Sequence, residues 1–501
     1  MSMRLRPCCT GLVVGPRAGF ALLALLAGSA LAQPGATELI SKDTFGDPAG
    51  GGAPAISADG SVIAFQSFGQ GLDPLDTNFT LDVFTWENGL IRLASRNSAG
   101  AAGNNPSANP ALSADGSAVS FTSLASNLVG NDFNNRFDIF LRTGAGTSRV
   151  NLSAGGAETN NQSDQSALSA DGRYAVFQSN ASNLVPGDPT PTAHVYRRDN
   201  QTGAILRLDV SGSSIGNAEA SRPSISDDGQ LVAFASRASN LAAGDTNNLP
   251  DIFVRDVTNS LTLRVSVSGA GAQANGESLR PRITGDGRFA AFDSTATNLV
   301  GDDTNNLRDV FVRDTLLGTT VRASTGPGGI EGDGESWGAS ISADGRFVAF
   351  VSSSTTFDPA DTNGLADVYV KDLLTGRITR ESVSATGGDA NGAVNTAALS
   401  ASGLVLAFDS AATNLTVPGT VGANVFRRQV NCPADFDQSG FADSDDFVAY
   451  VDQFARGCTG AGQGALGDDP DCARTADFDQ SGFVDSDDFV AFTVGFAAGC
   501  P

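Results

Sequence analysis

Short runs of consecutive apolar residues recur along this chain, with polar turns between them. In one representative unit the two strongest runs are Phe289–Phe292 and Asp309–Asp314, with shorter runs at Pro281–Thr284 before them and Thr320–Ser324 after them. Alternating apolar and polar residues would predict strands with one wet face, whereas consecutive apolar residues predict strands that are covered on both faces. Each unit therefore predicts four short strands, of which the middle two are buried.

The unit repeats seven times at a nearly constant spacing. An Asp-Gly dipeptide marks the turn between its first two strands, at Asp59-Gly60, Asp115-Gly116, Asp171-Gly172, Asp228-Gly229, Asp286-Gly287 and Asp344-Gly345, with Ser402-Gly403 in the last copy. The steps are 56, 56, 57, 58, 58 and 58 residues. Asp-Gly readily supplies the positive φ angle of a tight hairpin. Units that are too small to bury their own core stack against their neighbours, so the pattern predicts an all-β fold, a seven-bladed β-propeller.

The seventh unit lacks a fourth strand of its own. Its third strand, Asn424–Arg428, leads directly to Cys432, whereas a strand-like run at Thr37–Ser41 precedes the first unit. We predict that this N-terminal strand completes the seventh blade and closes the ring. The alternative is a loose N-terminal tail, since termini are commonly disordered unless a sheet holds them.

The repeated pattern Ser-x-Asp-Gly-Arg-x-Val-Ala-Phe, followed by Asp-Val-Phe-Val-Arg-Asp, resembles the WD40-like repeats of TolB-type propellers. The resemblance covers about residues 37–430 and implies a propeller domain at 33–430. Two units depart from the pattern. The third reads Asp188-Pro189-Thr190-Pro191-Thr192-Ala193-His194 in its acidic loop, and the seventh lacks both the Asp-Gly turn and that loop. Those two blades are therefore expected to carry a different loop on one face.

The last 70 residues contain two copies of an acidic segment, which begin at Asp435 and Asp477. Each copy matches an EF-hand calcium loop, in which oxygen ligands are spaced around a glycine at the sixth position. The candidate ligands are Asp435, Asp437, Ser439, the Phe441 carbonyl, Asp443 and Asp446 in the first copy, and Asp477, Asp479, Ser481, the Phe483 carbonyl, Asp485 and Asp488 in the second. Oxygen ligands without a nearby imidazole or thiolate predict calcium as the cofactor.

Apolar, helix-like stretches follow the two loops, at Phe447–Val451 and Phe489–Phe492. This duplicated loop-then-helix unit resembles a type I dockerin, over about residues 432–501, within a domain at 431–501. The resemblance implies a small α-helical, EF-hand-like domain that attaches a secreted protein to a cohesin-like or other cell-surface partner. In that family, two adjacent loop positions help to recognise the partner, and here they are Ser444, Asp445, Ser486 and Asp487.

Four cysteines, Cys432, Cys458, Cys472 and Cys500, flank these two units. They depart from the common dockerin pattern, but their clustering in an exported chain predicts two disulfides. Four cysteines allow three pairings. We expect Cys432 to pair with Cys458 and Cys472 with Cys500, because each bridge then brackets one unit. A bridge from Cys432 to Cys500, which joins the two ends of the segment, is the alternative.

The first 32 residues are typical of a secretion signal. Arg4, Arg6 and Arg17 form a basic start, Phe20–Ala27 is an apolar segment too short to span a bilayer, and Ala30–Ala32 is a cleavage site. The remaining chain has a net charge of −27, against −24 for the whole. Such a surface repels nucleic acid and anionic lipid. We therefore expect a secreted protein, extracellular or at the cell surface, with the periplasm as the alternative, and neither a nucleic-acid partner nor a membrane span.

Catalytic patterns are weak in this sequence, and no catalytic residue is assigned. His194 is the single histidine and replaces an aspartate of the repeat, so we expect it on a surface loop rather than in a Ser-His-Asp site. The motif Asp-Thr-Asn-x-x-x-Asp recurs in the propeller loops at Asp76–Asp82, Asp245–Asp251, Asp303–Asp309 and Asp361–Asp367, with a variant at Asp132–Asp138. Its oxygens suit calcium, but Asx-turns that cap the next strand explain them more simply.

Together these patterns predict a secreted, non-enzymatic binding or scaffold protein. The propeller presents a ligand face, and residues 431–501 form a calcium-dependent attachment module. The first alternative is a secreted carbohydrate hydrolase or lyase with paired carboxylates at the mouth of the propeller. The second is a periplasmic scaffold of the TolB kind. The propeller ligand is not identified by the sequence.

Overall fold

The computed structural model describes residues 35–187 and 192–430, and most of their strands fall into seven antiparallel sheets of four strands each. In six of these sheets the four strands follow one another along the chain, so that one sheet corresponds to one repeat unit. We refer to the sheets as blades 1 to 7, in chain order. The fold is the predicted seven-bladed, all-β propeller.

The first half of the propeller begins with β1 (Thr37–Leu39), which precedes blade 1. Blade 1 contains β2 (Gly52–Ile56), β3 (Val62–Ser67), β4 (Asp82–Glu87) and β5 (Leu90–Leu93). Blade 2 contains β6 (Ser107–Leu112), β7 (Val119–Ser123), β8 (Asp138–Thr143) and β9 (Gly146–Arg149). Blade 3 contains β10 (Ser163–Leu168), β11 (Tyr174–Ser179), β12 (His194–Asp199) and β13 (Ile205–Arg207). A two-stranded hairpin follows, with β14 (Val210–Ser211) and β15 (Ser214–Ile215).

The second half continues in the same order. Blade 4 contains β16 (Ala220–Ile225), β17 (Leu231–Ser236), β18 (Asp251–Asp256) and β19 (Leu261–Arg264). Blade 5 contains β20 (Ser278–Ile283), β21 (Phe289–Ser294), β22 (Asp309–Asp314) and β23 (Thr319–Arg322), and a 3-10 turn at Pro327–Gly329 follows it. Blade 6 contains β24 (Ser336–Ile341), β25 (Phe347–Ser352), β26 (Asp367–Asp372) and β27 (Ile378–Arg380). Blade 7 contains β28 (Val394–Leu399), β29 (Val405–Ser410) and β30 (Asn424–Gln429), with β1 as its fourth strand.

The N-terminal strand closes the ring as predicted. β1 pairs antiparallel with β30, so that Thr37 lies opposite Arg428 and Leu39 opposite Phe426. The regular strand ends at Leu39, two residues before the predicted end, but the Ile40 amide still donates to the Val425 carbonyl at 2.8 Å. Blade 7 is therefore built from the two ends of the propeller sequence.

The core lies between blades, because the second and third strands of each blade are covered on both faces. Every residue of β25 is buried, for example. An aromatic ring of the second strand stacks on a ring of the third in every blade, with centroids 5.6–6.2 Å apart. Buried clusters join neighbours, as where Ala233 and Ala235 of blade 4 contact Ala290 and Phe292 of blade 5. This arrangement explains the runs of consecutive apolar residues.

Two faces of the propeller follow from the antiparallel strand order. The turn face carries the Asp-Gly turns and the hairpins between third and fourth strands. The loop face carries the longer loops between second and third strands and the links between blades. On the turn face, backbone hydrogen bonds join neighbouring turns, and the bond from Ala401 N to Ala58 O, at 2.9 Å, returns to blade 1. Gly345 has a φ of +76°, and a Cβ there would lie 2.3 Å from the Phe289 ring, so both backbone shape and close blade packing require glycine.

The innermost strands are longer than the sequence predicted. In blade 5 the predicted strand begins at Pro281, whereas β20 runs from Ser278 to Ile283. A proline is tolerated there because the innermost strand is an edge strand, with one row of amides that needs no partner. A β-bulge lies near its middle, where Arg280 adopts a φ of +51°. The apolar pattern predicts neither the bulge nor the strand residues ahead of it.

Several predictions concern residues outside the described ranges. They are the secretion signal in residues 1–32, the calcium loops and the helices after them, the partner-reading positions and the four cysteines of residues 431–501. Part of the divergent loop of blade 3, residues 188–191, is also outside. Within residues 35–187 and 192–430, no helix is long and apolar enough to cross a membrane.

Candidate functional site on the loop face

Three side-chain positions meet on the loop face of every blade, and we refer to them as the loop cluster. They are the first residue of the third strand, the last residue of the fourth strand and the second residue after it. In blade 5 these are Asp309, Arg322 and Ser324. Ser324 Oγ donates to Asp309 Oδ1 at 2.6 Å and accepts the Val310 amide at 2.9 Å. The strand ends themselves therefore position the cluster.

The third position is used in the same way in all seven blades. Its side-chain oxygen accepts the amide of the second residue of the third strand, at 2.9–3.4 Å. The residues concerned are Ser95, Asn151, Asp209, Ser266, Ser324, Ser382 and Ser41. This sevenfold contact holds the fourth strand of each blade against the start of the third.

The arginine of the cluster lies among carboxylates. The Arg322 side chain is 2% exposed, and its Nη1 lies 3.5 Å from Asp303, 3.7 Å from Asp309 and 2.6 Å from Glu331. Burial raises the pKa of Asp303 to about 6, where the Asp309 charge adds to the effect and Arg322 opposes it. Burial also raises the pKa of Glu331, but hydrogen bonds from Thr304 and Arg322 outweigh it and bring that pKa to about 2. The guanidinium is thus the counter-ion of these three acids, and the exposed Asp302 also lies 3.7 Å from its Nη2.

Blades 2, 4 and 6 repeat this arrangement. Their arginines are Arg149, Arg264 and Arg380. In blade 4 the third acid is replaced by Gln273, whose Nε2 donates to Asp245 Oδ1 at 2.9 Å and to Asp251 Oδ2 at 3.1 Å. The amide thus hydrogen-bonds to both aspartates, whereas Arg264 Nη1 is buried without a hydrogen-bond partner among the described residues.

The Asp-Thr-Asn loops form Asx-turns in the structure, which is the interpretation that the sequence favoured. In blade 5 the Asn305 side-chain carbonyl accepts the Leu307 amide at 2.9 Å, and its Nδ2 donates to Asp309 Oδ2 and to the Gly332 carbonyl. The same bond from the asparagine to the amide two residues on occurs in the corresponding loops of blades 1, 2, 4 and 6. The asparagine shapes the loop, and both aspartates of the motif face inward.

One of these clusters has the spacing of a metal site. In blade 2, oxygens of Asp132, Asp138 and Glu158 all lie within 4.8 Å of one another. Arg149 Nη1 lies 3.4, 3.2 and 2.7 Å from those three carboxylates, respectively. The cationic partner that the oxygens require is therefore a guanidinium of the chain itself.

The prediction for His194 was wrong, because this residue is not on a surface loop. It is the first residue of β12, its side chain is 2% exposed, and its Nδ1 lies 2.6 Å from Asp209 Oδ2. Asp209 occupies the position that serine holds in most other blades, and burial raises its pKa while the bond to His194 opposes that shift. In blade 3 the acid and its hydrogen-bonding partner have thus exchanged places.

Blades 1 and 7 have a leucine where the other blades have arginine. In blade 7 the acid is missing as well, since Asn424 replaces it beside Leu39, and Ser41 Oγ donates to Asn424 Oδ1 at 3.1 Å. In blade 1 the acid is kept. Asp82 and Asp76 face each other beside Leu93, and Asp76 Oδ1 is buried with no hydrogen-bond partner among the described residues. Blade 1 is therefore the only described cluster with acids and no internal cation.

Exposed phenylalanines distinguish one sector of the loop face. Phe45, Phe68, Phe79 and Phe133 are 89, 69, 85 and 76% exposed, and they lie on loops of blades 7, 1, 1 and 2. A backbone bond from Thr44 N to Gly71 O, at 3.2 Å, joins the loops that carry the first two. Monomeric proteins seldom expose several large apolar side chains on one surface, so this sector is a candidate interaction site. We refer to these four residues as the phenylalanine sector.

Sequence reasoning missed the arginines and the phenylalanine sector, although both left a signal. Arg149, Arg207, Arg264, Arg322 and Arg380 follow one another at steps of 58, 57, 58 and 58 residues, which is the period of the repeat. Phe79 stands where the corresponding loops have asparagine or glycine, and Phe133 stands where they have threonine. A comparison of the repeats position by position would have found the arginines.

No protein-family model matches this sequence, and no curated protein sequence matches it. Among solved structures, the chain is similar to TolB from Acinetobacter baumannii, at 13% identity and a TM-score of 0.34, with 65% of this chain and 61% of that chain covered. It is similar to a protein described as TolB from Agrobacterium tumefaciens, at 14% identity and a TM-score of 0.34, with 68% and 94% covered. It is also similar to an acylaminoacyl peptidase from Pyrococcus horikoshii, at 11% identity and a TM-score of 0.46, with 79% and 54% covered. The chain thus spans less than two thirds of the Acinetobacter protein and of the peptidase.

Proposed function

We propose that this chain is a secreted, non-enzymatic binding protein, in which the propeller holds a protein partner on its loop face and residues 431–501 attach it elsewhere through calcium. The observation that carries the first part is the phenylalanine sector. Phenylalanine is enriched at the centres of protein interfaces, where its large apolar area leaves water. The four side chains lie on loops of three neighbouring blades, and we expect a partner with matching apolar pockets to cover them.

The test uses the full chain immobilised as bait and a matched pair of triple variants. Phe45→Ser, Phe79→Ser and Phe133→Ser together remove most of the phenylalanine sector. Leu90→Ser, Leu316→Ser and Leu317→Ser remove exposed apolar residues elsewhere, since these leucines are 59, 74 and 67% exposed near hairpins of the turn face. Both triple variants are expected to fold, because they change exposed positions only.

The partner is first identified from culture supernatant by mass spectrometry and then purified for a binding titration. We expect the phenylalanine variant to lose at least about tenfold in affinity, as for the loss of interface hot spots. The leucine variant should bind like the wild type. Equal binding by wild type and phenylalanine variant would reject the loop-face proposal.

The attachment proposal rests on the sequence of residues 431–501. The two acidic loops, at 435–446 and 477–488, bring like charges together, and calcium relieves their repulsion. Calorimetry on the full chain should show two calcium ions bound by the wild type, one by Asp435→Ala or Asp477→Ala, and none by the double variant. An absence of calcium-binding heat at millimolar concentration would reject the calcium-dependent module.

Peptide mapping checks the disulfides that we propose between Cys432 and Cys458 and between Cys472 and Cys500.

One observation favours the enzymatic alternative. Burial raises the pKa of Asp132 to about 6, the Asp138 charge adds to it and Arg149 opposes it, so this carboxyl holds a proton more tightly than usual. Raised carboxyl pKa values occur in glycoside hydrolases. Assays on polysaccharides with the wild type and Asp132→Asn test this alternative, since only hydrolysis that is lost in the variant supports a hydrolase.

Fractionation of cells tests the other alternative, a periplasmic scaffold, because it finds the chain either outside the cell or in the periplasm.

A further inference from the structure

The innermost strands line the central channel of the propeller, and one side of this channel is basic. Arg282 of β20 is exposed, whereas its register equivalents in the other six blades are small residues. These equivalents are Ala55, Ala111, Ala167, Ser224, Ser340 and Ala398. At this register position, therefore, one long cationic side chain stands among six small ones.

Two more arginines stand at the β-bulges beside it. Arg222 of β16 and Arg280 of β20 adopt φ angles of +54° and +51°, which side chains other than glycine and asparagine seldom adopt. Equivalent bulges in blades 1, 2 and 3 carry Ala53, Asn109 and Gln165, which are uncharged. The arginines are thus confined to blades 4 and 5.

Only part of this positive charge is neutralised. Asp293 accepts hydrogen bonds from Arg280 Nη1 at 2.9 Å and from Arg308 Nη1 at 2.8 Å, and Glu277 also pairs with Arg308. Neither Arg222 nor Arg282 has a carboxylate within 4.0 Å among the described residues, although both neighbour this group. Arg282 Nη1 donates to the carbonyl of its own neighbour, Pro281, at 3.3 Å. Four guanidinium groups share two carboxylates, which leaves two positive charges.

The four guanidinium groups are close enough for their charges to affect the pKa values of their neighbours. Burial lowers the pKa of Arg222, and the charges of Arg280 and Arg308 lower it further against Asp293. Burial likewise lowers the pKa of Arg282, together with the charge of Arg222. Arg282 nevertheless remains exposed to solvent. An exposed side chain on an innermost strand faces the central channel, where repulsion between like charges is screened less than on an open surface.

We propose that Arg222 and Arg282 bind a dianionic oxyanion group in the central channel. The donors of each guanidinium form a planar fork that suits phosphate, sulfate and carboxylate oxygens. Two unneutralised charges match a dianion, and the anion removes the repulsion between them. The rest of this acidic chain, at a net charge of −24, excludes anions from most of its surface and makes the channel the exception. The site shares no residue with the phenylalanine sector, so the two proposals fail or stand separately.

The test titrates the full chain by calorimetry with sodium sulfate, sodium phosphate and sodium succinate, each compared with sodium chloride at equal ionic strength. At least one dianion should bind with one site per chain. The double variant Arg222→Gln/Arg282→Gln should weaken that binding at least about tenfold. Arg237→Gln is the matched control, because Arg237 also lies in blade 4, is 47% exposed and pairs with Glu219 at 3.1 Å.

The three probes also separate the possible ligands. Binding of sulfate and phosphate alone assigns a tetrahedral group, and binding of succinate alone assigns a dicarboxylate. If none of the three produces more heat than chloride, or if the double variant binds as the wild type does, the proposal is wrong. Should the double variant fail to fold, Arg282→Lys serves instead. It keeps the charge and loses the planar fork, and we expect it to bind more weakly than the wild type by several-fold.

Discussion

Blades 5 and 1 place the same pair of aspartates in the same loop and differ in what faces them. In blade 5, Asp303 and Asp309 lie beside Arg322, which is almost fully buried. In blade 1, Asp76 and Asp82 lie beside Leu93, and none of the described residues supplies a cation to this cluster. The sequence motif Asp-Thr-Asn-x-x-x-Asp is common to both, so the motif alone does not say whether the acids are neutralised.

The difference shows that the repeat keeps the three positions of the loop cluster in every blade, while the charges at those positions vary. Blade 7 lost the acid and the arginine together, and blade 3 exchanged the acid with its partner as His194 and Asp209. Each of those changes keeps buried charges paired or removes them, as the cost of an unpaired buried charge requires. Blade 1 departs from this rule, since Asp76 and Asp82 have no cation of the cluster beside them.

The largest effect is expected when the internal cation of blade 5 is removed. Arg322→Met leaves Asp303, Asp309 and Glu331 without their shared partner in a buried position, at a loss of about 3–5 kcal/mol in the free energy of unfolding. Urea unfolding followed by tryptophan fluorescence measures it. Arg237→Met is the control, since an exposed pair contributes less than about 1 kcal/mol. Equal losses in the free energy of unfolding of the two variants would show that Arg322 does not stabilise the buried carboxylates.

A smaller effect tests whether blade 3 is a rearranged form of the same cluster. His194→Asp sets a second acid against Asp209 in a buried position and should cost about 2–3 kcal/mol. Adding Asp209→Ser restores the arrangement of blades 4, 5 and 6, with Arg207 at the arginine position. We expect the double variant to recover at least half of the loss, because neighbouring changes couple by about 0.5–3 kcal/mol. Strictly additive losses would contradict the exchange.

The smallest effect sharpens the contrast in blade 1. Burial raises the pKa of Asp76 from 3.8 to about 6, with further contributions from the Asp82 and Asp73 charges. Because the folded state holds this proton more tightly than the unfolded state, ionisation between pH 3.8 and about 6 lowers stability, and the loss persists above that range.

Asp76→Asn removes this titration. Its free energy of unfolding should equal that of the wild type near pH 4 and exceed it slightly at pH 7.5, by less than about 1 kcal/mol since the group is partly exposed. Asp43→Asn, at another acid on the loop face, is the control for the loss of one carboxylate elsewhere. A variant that is less stable than the wild type at pH 7.5 would mean that Asp76 is held by a partner after all.

Much of the fold could be predicted, because strands that are buried on both faces consist of consecutive apolar residues. Consecutive apolar residues in the second and third strands predicted covered sheets, and the constant period together with the missing fourth strand predicted seven blades and closure by Thr37–Ser41. The innermost strand was predicted too short in blade 5. Pro281 is a poor strand residue by composition, and only the position of β20 at an edge makes it acceptable.

The site was less readable, because it depends on which positions meet in space. The sequence favoured Asx-turns in the Asp-Thr-Asn loops, which the structure shows, but it did not connect them with arginines some 20 residues later. His194 was misjudged because it sits just after a polar loop, whereas its place as the first residue of β12 buries it. Arg222 and Arg282 gave no signal, since a β-bulge and a channel are not visible in a pattern of apolar residues.

The closure of blade 7 also has a mechanical consequence. Both ends of the described propeller lie on the turn face, where Gly35 N donates to Gln429 O at 3.2 Å and Val430 N donates to Leu404 O at 2.7 Å. A force applied through residue 430 therefore pulls β30 along its own length. Because β30 is hydrogen-bonded to β1 on one side and to β29 on the other, this load is shared in shear by two rows of bonds at once. The strand that continues towards residues 431–501 thus resists extraction, and the loop face points away from the pull.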